Sequence, residues 1–544
     1  MTEAALDPGP RAPPPGGSLG TFVSSLGPAH EIDWPKVYLG FAGMILGQFM
    51  AILDIQIVAA SLIPIQAGIG ANADEIGWVQ TIYLLAEVVI IPLTAYLTKM
   101  WGTRPVYVTA VGCFILSSIA TGLSSSIEMM IFTRALQGLA AGAMIPAGFA
   151  TAMTVFPPER RVTVQVIFGM VVTLAPTIGP TLGGHLTEWL SWRWLFFINV
   201  PPGALVMFLV WRYADFDKGD PRLATGIDWF GLAAMTISVL TMQYVLEEGA
   251  GDGWFQDDLI LWFSVISVIA GVAFVWRQLT YRQPIVSLAP FRDRNFAIGS
   301  MMNLVSGLSL YGGMFVMPLF LGQIRRYSAA EVGTTLLVSG LVMFATGPIV
   351  GRVVRYIDLR LAVLMGFGMT AYAMFLGVRV TDDWGFSQFA VLQTIRGVGV
   401  MIAMVASSQL SISTLPPGMM KDASGLMNLL RNVGGAIGLA VVSTILTHMT
   451  AVHLADLAAG LNPTNLAAQD MMAGLSAMMQ EGGAMDPEGA GRKAIGMLLR
   501  REASVMAFAD AFLVLTAGCI VAALLPLLAA KPPGALSSRA GGDH

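Results

Sequence analysis

The chain has 544 residues, of which 55% are hydrophobic and only 12% charged, with a formal net charge of -4. That charged fraction is about half of what an ordinary soluble protein carries, which excludes a soluble multidomain enzyme, and the lack of any basic block excludes nucleic acid as a partner. In place of charged surfaces the sequence repeats apolar blocks of about 20 residues, each long enough to cross a hydrocarbon core of roughly 30 Å as a helix.

The N-terminal stretch, 1–33, is rich in Pro and Gly, with Ala12 followed by Pro13, Pro14, Pro15, Gly16 and Gly17. It lacks the apolar core of a signal peptide and reads as a disordered cytoplasmic tail rather than a cleaved leader. Apolar blocks between turn signals then predict spans at about 37–66, 76–98, 105–124, 128–155, 162–188, 194–213, 227–246 and 257–278. A second set follows at about 296–323, 330–356, 359–378, 386–414, 424–448 and 506–529. The fold class is therefore an all-α membrane protein of fourteen spans.

Charge sets its orientation. With the N-terminus inside, about nineteen Lys and Arg fall in inner segments and about eight in outer ones, and the positive-inside rule places both termini in the cytoplasm. Three more, Arg134, Arg396 and Arg431, fall within spans. Arg134 should face the interior and find a partner, because a mid-membrane charge costs about 2.5 to 3.5 kcal/mol on insertion scales. Arg396 and Arg431 read as lying nearer the cytoplasmic ends, in structural roles. An outer loop at about 450–504, rich in Ala, Met and Gly, is far longer than the other outer connections and reads as functional or disordered.

A weak repeat links Thr133-Arg134, Gln137-Gly138 and Gly142 in the fourth span with Gln393-Thr394, Arg396-Gly397 and Gly399 in the twelfth. It divides the chain into a six-helix bundle at about 34–215, two inserted helices at about 216–285, a second six-helix bundle at about 286–531, and a cytoplasmic tail at about 532–544. Parallel halves of this kind hold a substrate site between them.

Other chemistries find no support. Cys113 and Cys519 lie in apolar blocks and suit packing. The five histidines show no metal-ligand spacing, and no Lys follows a Gly, so there is no phosphate-binding loop and no cofactor loop. A membrane-embedded lipid enzyme would need a nucleophile–His pairing or a metal cluster that the sequence does not offer.

Several motifs stand out: Gln48 to Gln56 in the first span; Pro92 to Arg104 at the end of the second; Arg134-Ala135-Leu136-Gln137-Gly138; Ala175-Pro176-Thr177-Ile178-Gly179-Pro180 to Gly184; Trp192-Arg193-Trp194 to Asn199-Val200-Pro201-Pro202-Gly203; and Arg431 to Gly435. Together they resemble the fourteen-helix drug/proton antiporters of the major facilitator superfamily, and most of all the EmrB-type efflux permeases. Lys99 stands where the loop motif of the wider superfamily places Asp. The resemblance implies a proton-coupled antiporter that exports hydrophobic or amphipathic compounds such as drugs across a bacterial inner membrane. It also implies a periplasmic adaptor and an outer-membrane channel as partners, engaged through the 450–504 loop. Uptake or facilitated diffusion through the same fold is the alternative, against which the span-five Gly-Pro motif counts by resemblance.

The expected site follows from burial and resemblance together. Asp54, somewhat past the middle of span one, and Glu87, midway along span two, both sit at membrane depth. Burial disfavours a carboxylate and a nearby Arg favours it, so an acid under both influences can exchange protons. By resemblance Asp54 and Arg134 are the proton-coupling pair, while Glu87 shares the proton or binds cationic substrate; Glu87 and Gln56 are the expected substrate-binding residues. Ala175, Gly179 and Gly183 recur at i, i+4 and i+8, leaving one helix face without bulk for a close neighbour. Pro180 breaks the backbone ladder there, and the resemblance makes this motif a gate or seal.

Overall fold

The computed structural model describes residues 33–530 except 60, 252, 328, 462–465 and 482–485; the expected tails at 1–33 and 532–544, Asp33 apart, lie outside the described residues. Within them, fourteen helices are long and apolar enough to cross a membrane. The first half holds α1 (Trp34–Ala59), α2 (Trp78–Trp101), α3 (Thr103–Gly122), α4 (Ile127–Val155), α5 (Arg160–Trp189) and α6 (Trp194–Tyr213). An inserted pair follows, α7 (Trp229–Glu248) and α8 (Asp258–Thr280). The second half holds α9 (Arg294–Gln323), α10 (Glu331–Val354), α11 (Leu359–Gly377), α12 (Phe386–Ile412), α13 (Met420–Ala459) and α14 (Pro487–Leu528). Helices are the only open-ended way to satisfy every backbone group in lipid, and their starts are set by side chains. Ser126 accepts from the Met129 N–H, Asp257 from Leu259 and Ile260, and Asp293 from Phe296, each satisfying donors that have no partner within the helix.

Two boundaries differ from the hydropathy reading. The first span stops at Ala59, and a separate short helix, Leu62–Ile69, ends at Gly70 in the left-handed region. Apolar residues continue across this break, so hydropathy alone merges the two. The expected 450–504 loop is mostly helical: α13 runs on to Ala459, a further helix covers Leu466–Glu481, and α14 begins at Pro487. Ala, Met and Leu are strong helix formers, and they hold the helix well beyond the length a bilayer needs.

The two halves are packed alike. In the first, α1 lies against α5 and α6, α4 against α2 and α3, and α3 against α6; in the second, α9 lies against α13 and α14, α12 against α10 and α11, and α11 against α14. Adding eight to each helix number converts one set into the other. Small residues make the closest seams. A Cβ at Gly183 of α5 would lie 2.8 Å from the Ile57 carbonyl of α1, and one at Gly438 of α13 would lie 2.7 Å from the Leu308 carbonyl of α9. Backbones approach this closely only where side chains are absent.

The halves meet along α5–α10 and α2–α13. On the face where α1 begins, the terminal face, an apolar cluster joins Phe41, Met100, Phe156 and Phe168 of the first half to Met404, Leu415, Met420 and Leu426 of the second. Ion pairs rim it: Lys99 to Asp422 at 2.5 Å, and Lys421 to Asp217. Asp217 also accepts from the N–H and hydroxyl of Thr103, at 2.8 and 3.0 Å. On the opposite, distal face the inserted pair bridges the halves. Tyr244 of α7 stacks on Trp78 and Glu247 accepts from the Thr81 hydroxyl of α2, while Trp254, between α7 and α8, donates to Thr444 of α13 at 3.0 Å. Helix α8 turns Trp262, Val268, Ile269, Val272 and Trp276 outward, an apolar flank suited to lipid.

Candidate functional site

Asp54 is carried by α1 and Arg134 by α4, and both are wholly buried. The Arg134 Nη1 and Asp54 Oδ2 atoms are 2.5 Å apart. The other carboxylate oxygen accepts two bonds, from Gln137 Nε2 at 3.1 Å and from Asn199 Nδ2 at 2.6 Å. Gln137 is three residues beyond Arg134, on the same helix face; it also accepts from Arg134 Nη1 at 2.8 Å and donates to Ser118 at 2.7 Å. Asn199 enters from α6, just ahead of the Pro201-Pro202 pair. The guanidinium lies 4.1 Å from the centroid of the Tyr83 ring and donates from Nε to the Val79 carbonyl of α2, so a cation–π contact adds to the ion pair. One carboxylate thus ties α1, α4 and α6 together, and Arg134 brings in α2.

Removing one charge from a buried ion pair leaves the other uncompensated, which is far costlier than the intact pair. A proton is the smallest agent that removes the charge of Asp54, so protonation and the Arg134 contact compete for the same carboxylate.

The remaining expected residues are placed separately. Glu87 is buried on α2 and, among the described residues, makes no side-chain hydrogen bond or ion pair. Gln56 is half-buried and faces α5, its Cβ only 2.4 Å from where a Cβ on Gly179 would lie. Asp54 and Gln56 are two residues apart, about 200° around a helix, so they point to different neighbours. Asp54, expected somewhat past the middle of the first span, lies only five residues before the end of α1, because the helix stops short of the expected boundary. Ala175 is buried, Gly179 and Gly183 are seated on α1, and Pro180 lies within α5. Arg396 is the eleventh of the 27 residues of α12, well inside the span and on the distal side of its middle.

A sequence profile of the Major Facilitator Superfamily matches residues 44–439. The chain belongs to the major facilitator superfamily. Among curated relatives within it, the colistin resistance protein EmrB of Acinetobacter baumannii is 36% identical over 445 residues, 81% of this chain and 86% of that protein. The multidrug export protein EmrB of Escherichia coli K12 is 30% identical over 92% of this chain and 96% of its own length. The fatty acid resistance protein FarB of Neisseria gonorrhoeae is 28% identical over 82% and 87%. In three dimensions the chain resembles the crystal structure of the human organic anion transporter MFSD10 with a TM-score of 0.52, at 13% identity and over 89% of this chain and 99% of that one, a likeness of fold. Membership makes the chain a multi-pass membrane transporter, in which two similarly packed halves are the expected architecture.

Proposed function

We propose that the protein is a proton-driven exporter of hydrophobic or amphipathic small molecules, seated in a bacterial inner membrane with both termini in the cytoplasm. The observation that carries this reading is the wholly buried Asp54–Arg134 pair in a chain of the major facilitator superfamily. Three relatives named for multidrug export, colistin resistance and fatty acid resistance support outward transport of amphipathic cargo. The excess of Lys and Arg in segments on the terminal face supports the orientation.

In this reading a proton arriving at Asp54 cancels its charge, and the bonds from Arg134, Gln137 and Asn199 lose their ionic assistance. The arrangement of α1, α4 and α6 held by the charged carboxylate is then weakened relative to its alternative, which shifts the balance between the two openings of the halves. Return of Arg134 expels the proton on the other side. Glu87, a buried carboxyl without a bonded partner among the described residues, is assigned cationic cargo or a share of the proton. Gln56 is assigned a cargo contact that becomes available when α5 separates from α1, and the Ala175, Gly179, Pro180 and Gly183 face of α5 is the seal of that seam. A periplasmic adaptor with its outer-membrane channel is proposed to dock on the distal helical extension.

Inverted vesicles with an imposed pH gradient test the reading. Wild-type protein should concentrate a lipophilic dye inside them, whereas accumulation only in right-side-out vesicles would mean uptake. Asp54→Asn should keep expression and dye binding and lose gradient-driven transport. Transport at the normal rate with the normal number of protons in that variant would leave the pair a static fastener.

A further inference from the structure

Gln48 of α1 is wholly buried, and among the described residues neither the oxygen nor the nitrogen of its side-chain amide has a hydrogen-bond partner. A buried amide in that state gives up its hydration and gains no bond for it, which is costly, and native structures keep few such groups. A Leu or Met of similar volume would pack there without that cost. The amide is therefore suited to a partner that the protein itself does not supply.

Its place in the helix says where that partner would sit. Gln48 is the fifteenth of the 26 residues of α1, at the middle of the span. Phe41, Ile45, Gln48 and Ile52 are three or four residues apart and fall on one stripe of the helix. Phe41 belongs to the apolar cluster that joins the two halves, and Ile45 and Ile52 pack against it; Leu310 and Met404 enter the same cluster from the second half. The stripe thus faces the seam between the halves, and among its four residues Gln48 alone is polar. In transporters built from two repeated halves, cargo binds near the bilayer midplane between them. Such sites are mostly apolar, with a few polar groups that fix the orientation of what is bound.

The chemistry of the position selects a head group. Asp54 is six residues further on, about 120° away around the helix, and its carboxylate is already held by Arg134, Gln137 and Asn199. No charged side chain among the described residues bonds to Gln48. A carboxylate would satisfy only the amide nitrogen and an ammonium only the amide oxygen, and either would bring an uncompensated charge into an apolar seam. An uncharged hydroxyl serves both atoms, since it donates to Oε1 and accepts from Nε2.

We infer that Gln48 is a specificity-determining cargo contact at the midplane, and that it selects amphipathic compounds whose head group is an uncharged hydroxyl, alkylphenols among them. This rests on the export reading and names a cargo class for it. When the halves part, the apolar tail of such a molecule is left to Ile45 and Ile52 on one side and to Leu310 and Met404 on the other.

The test uses full-length protein in phosphatidylcholine nanodiscs, titrated with 4-octylphenol and, separately, with its methyl ether 4-octylanisole. Affinities are expressed relative to ligand dissolved in protein-free discs, which removes the difference in partitioning. The two molecules share ring and tail and are both uncharged at neutral pH, but only the phenol has a hydrogen to donate. Wild type should bind the phenol about five- to tenfold more tightly than the ether, as one added hydrogen bond implies. Gln48→Leu should bring that ratio to about one by weakening the phenol. A purely structural role would move both ligands together and leave the ratio as it was. If Gln48→Leu does not yield monodisperse protein, Gln48→Met makes the same comparison. A ratio of about one in wild type leaves the amide to water and overturns the proposal, as does failure of wild type to bind either ligand, or a wild-type ratio retained in the variant. Dye export in inverted vesicles is measured in parallel; its absence in wild type strikes the export reading, while the phenol-to-ether ratio still decides whether Gln48 reads the head group.

Discussion

Asn199 holds Asp54 from a third helix with a 2.6 Å hydrogen bond, and a neutral donor in that place has one job: to stabilise the charged carboxylate without competing for its proton. Asn199→Ala should remove a hydrogen bond to a charged group, worth about 1.5 to 3 kcal/mol, while the Arg134 contact stays. The expected outcome is gradient-driven transport that persists but with its pH dependence displaced. A pH profile identical to wild type would show that Asn199 only packs. That Arg134 needs an acidic partner is legible in the sequence because a charge in a span demands one, whereas the choice of Asp54 over Glu87 comes from the family resemblance. Asn199 and Gln137 sit in recognisable motifs, yet their sequence positions point to no role, since a buried amide finds partners too easily to name one. Gln56 shows the geometric limit of such reading: it is close to Asp54 along the chain, and two steps along a helix turn it to the α5 side.

Helix α13 has 40 residues, which at 1.5 Å each is about 60 Å, twice the thickness of a hydrocarbon core. Its distal end and the start of α14 therefore stand beyond the bilayer, with Leu466–Glu481 folded back on α14; Gly491 is seated against Ser476, where a Cβ would lie 2.6 Å from the hydroxyl. Met471, Met478, Met497 and Leu498 are exposed on this extension, adaptable apolar side chains of the kind that accept partners. Replacing 461–486 by a short Gly-Ser linker should leave transport in vesicles intact and abolish drug resistance in cells, since vesicle transport needs no adaptor. Resistance equal to wild type after that replacement would rule out docking here. Hydropathy marks this region as a gap because it measures solvent preference, and a helix that leaves the membrane keeps its hydrogen bonds while losing its apolar signature.

At the scale of the whole molecule, the terminal face is closed by Lys99–Asp422 and Lys421–Asp217 around an apolar seal. In a Cys113→Ser background, Lys99→Asp should set two carboxylates against each other and raise the thiol-labelling rate of Ala95→Cys, which faces Gly425 across the seam, several-fold. Lys99→Asp/Asp422→Lys should return it to the starting rate; equal labelling in all three would mean that the ion pairs do not hold this face shut. The fourteen spans are legible in the sequence because length and hydropathy carry the signal locally, and the repeated Arg and Gln pattern relates the fourth span to the twelfth. The closing ion pairs are not, because Lys99 and Asp422 are 323 residues apart and nothing near either one names the other. On the distal face, the inserted pair is fastened to α2 through Thr81 and to α13 through Trp254. Any widening of that mouth must stretch or break a linkage on one flank or the other, so the two extra helices add a cost to opening on this side that a twelve-helix arrangement of the two halves alone would not carry.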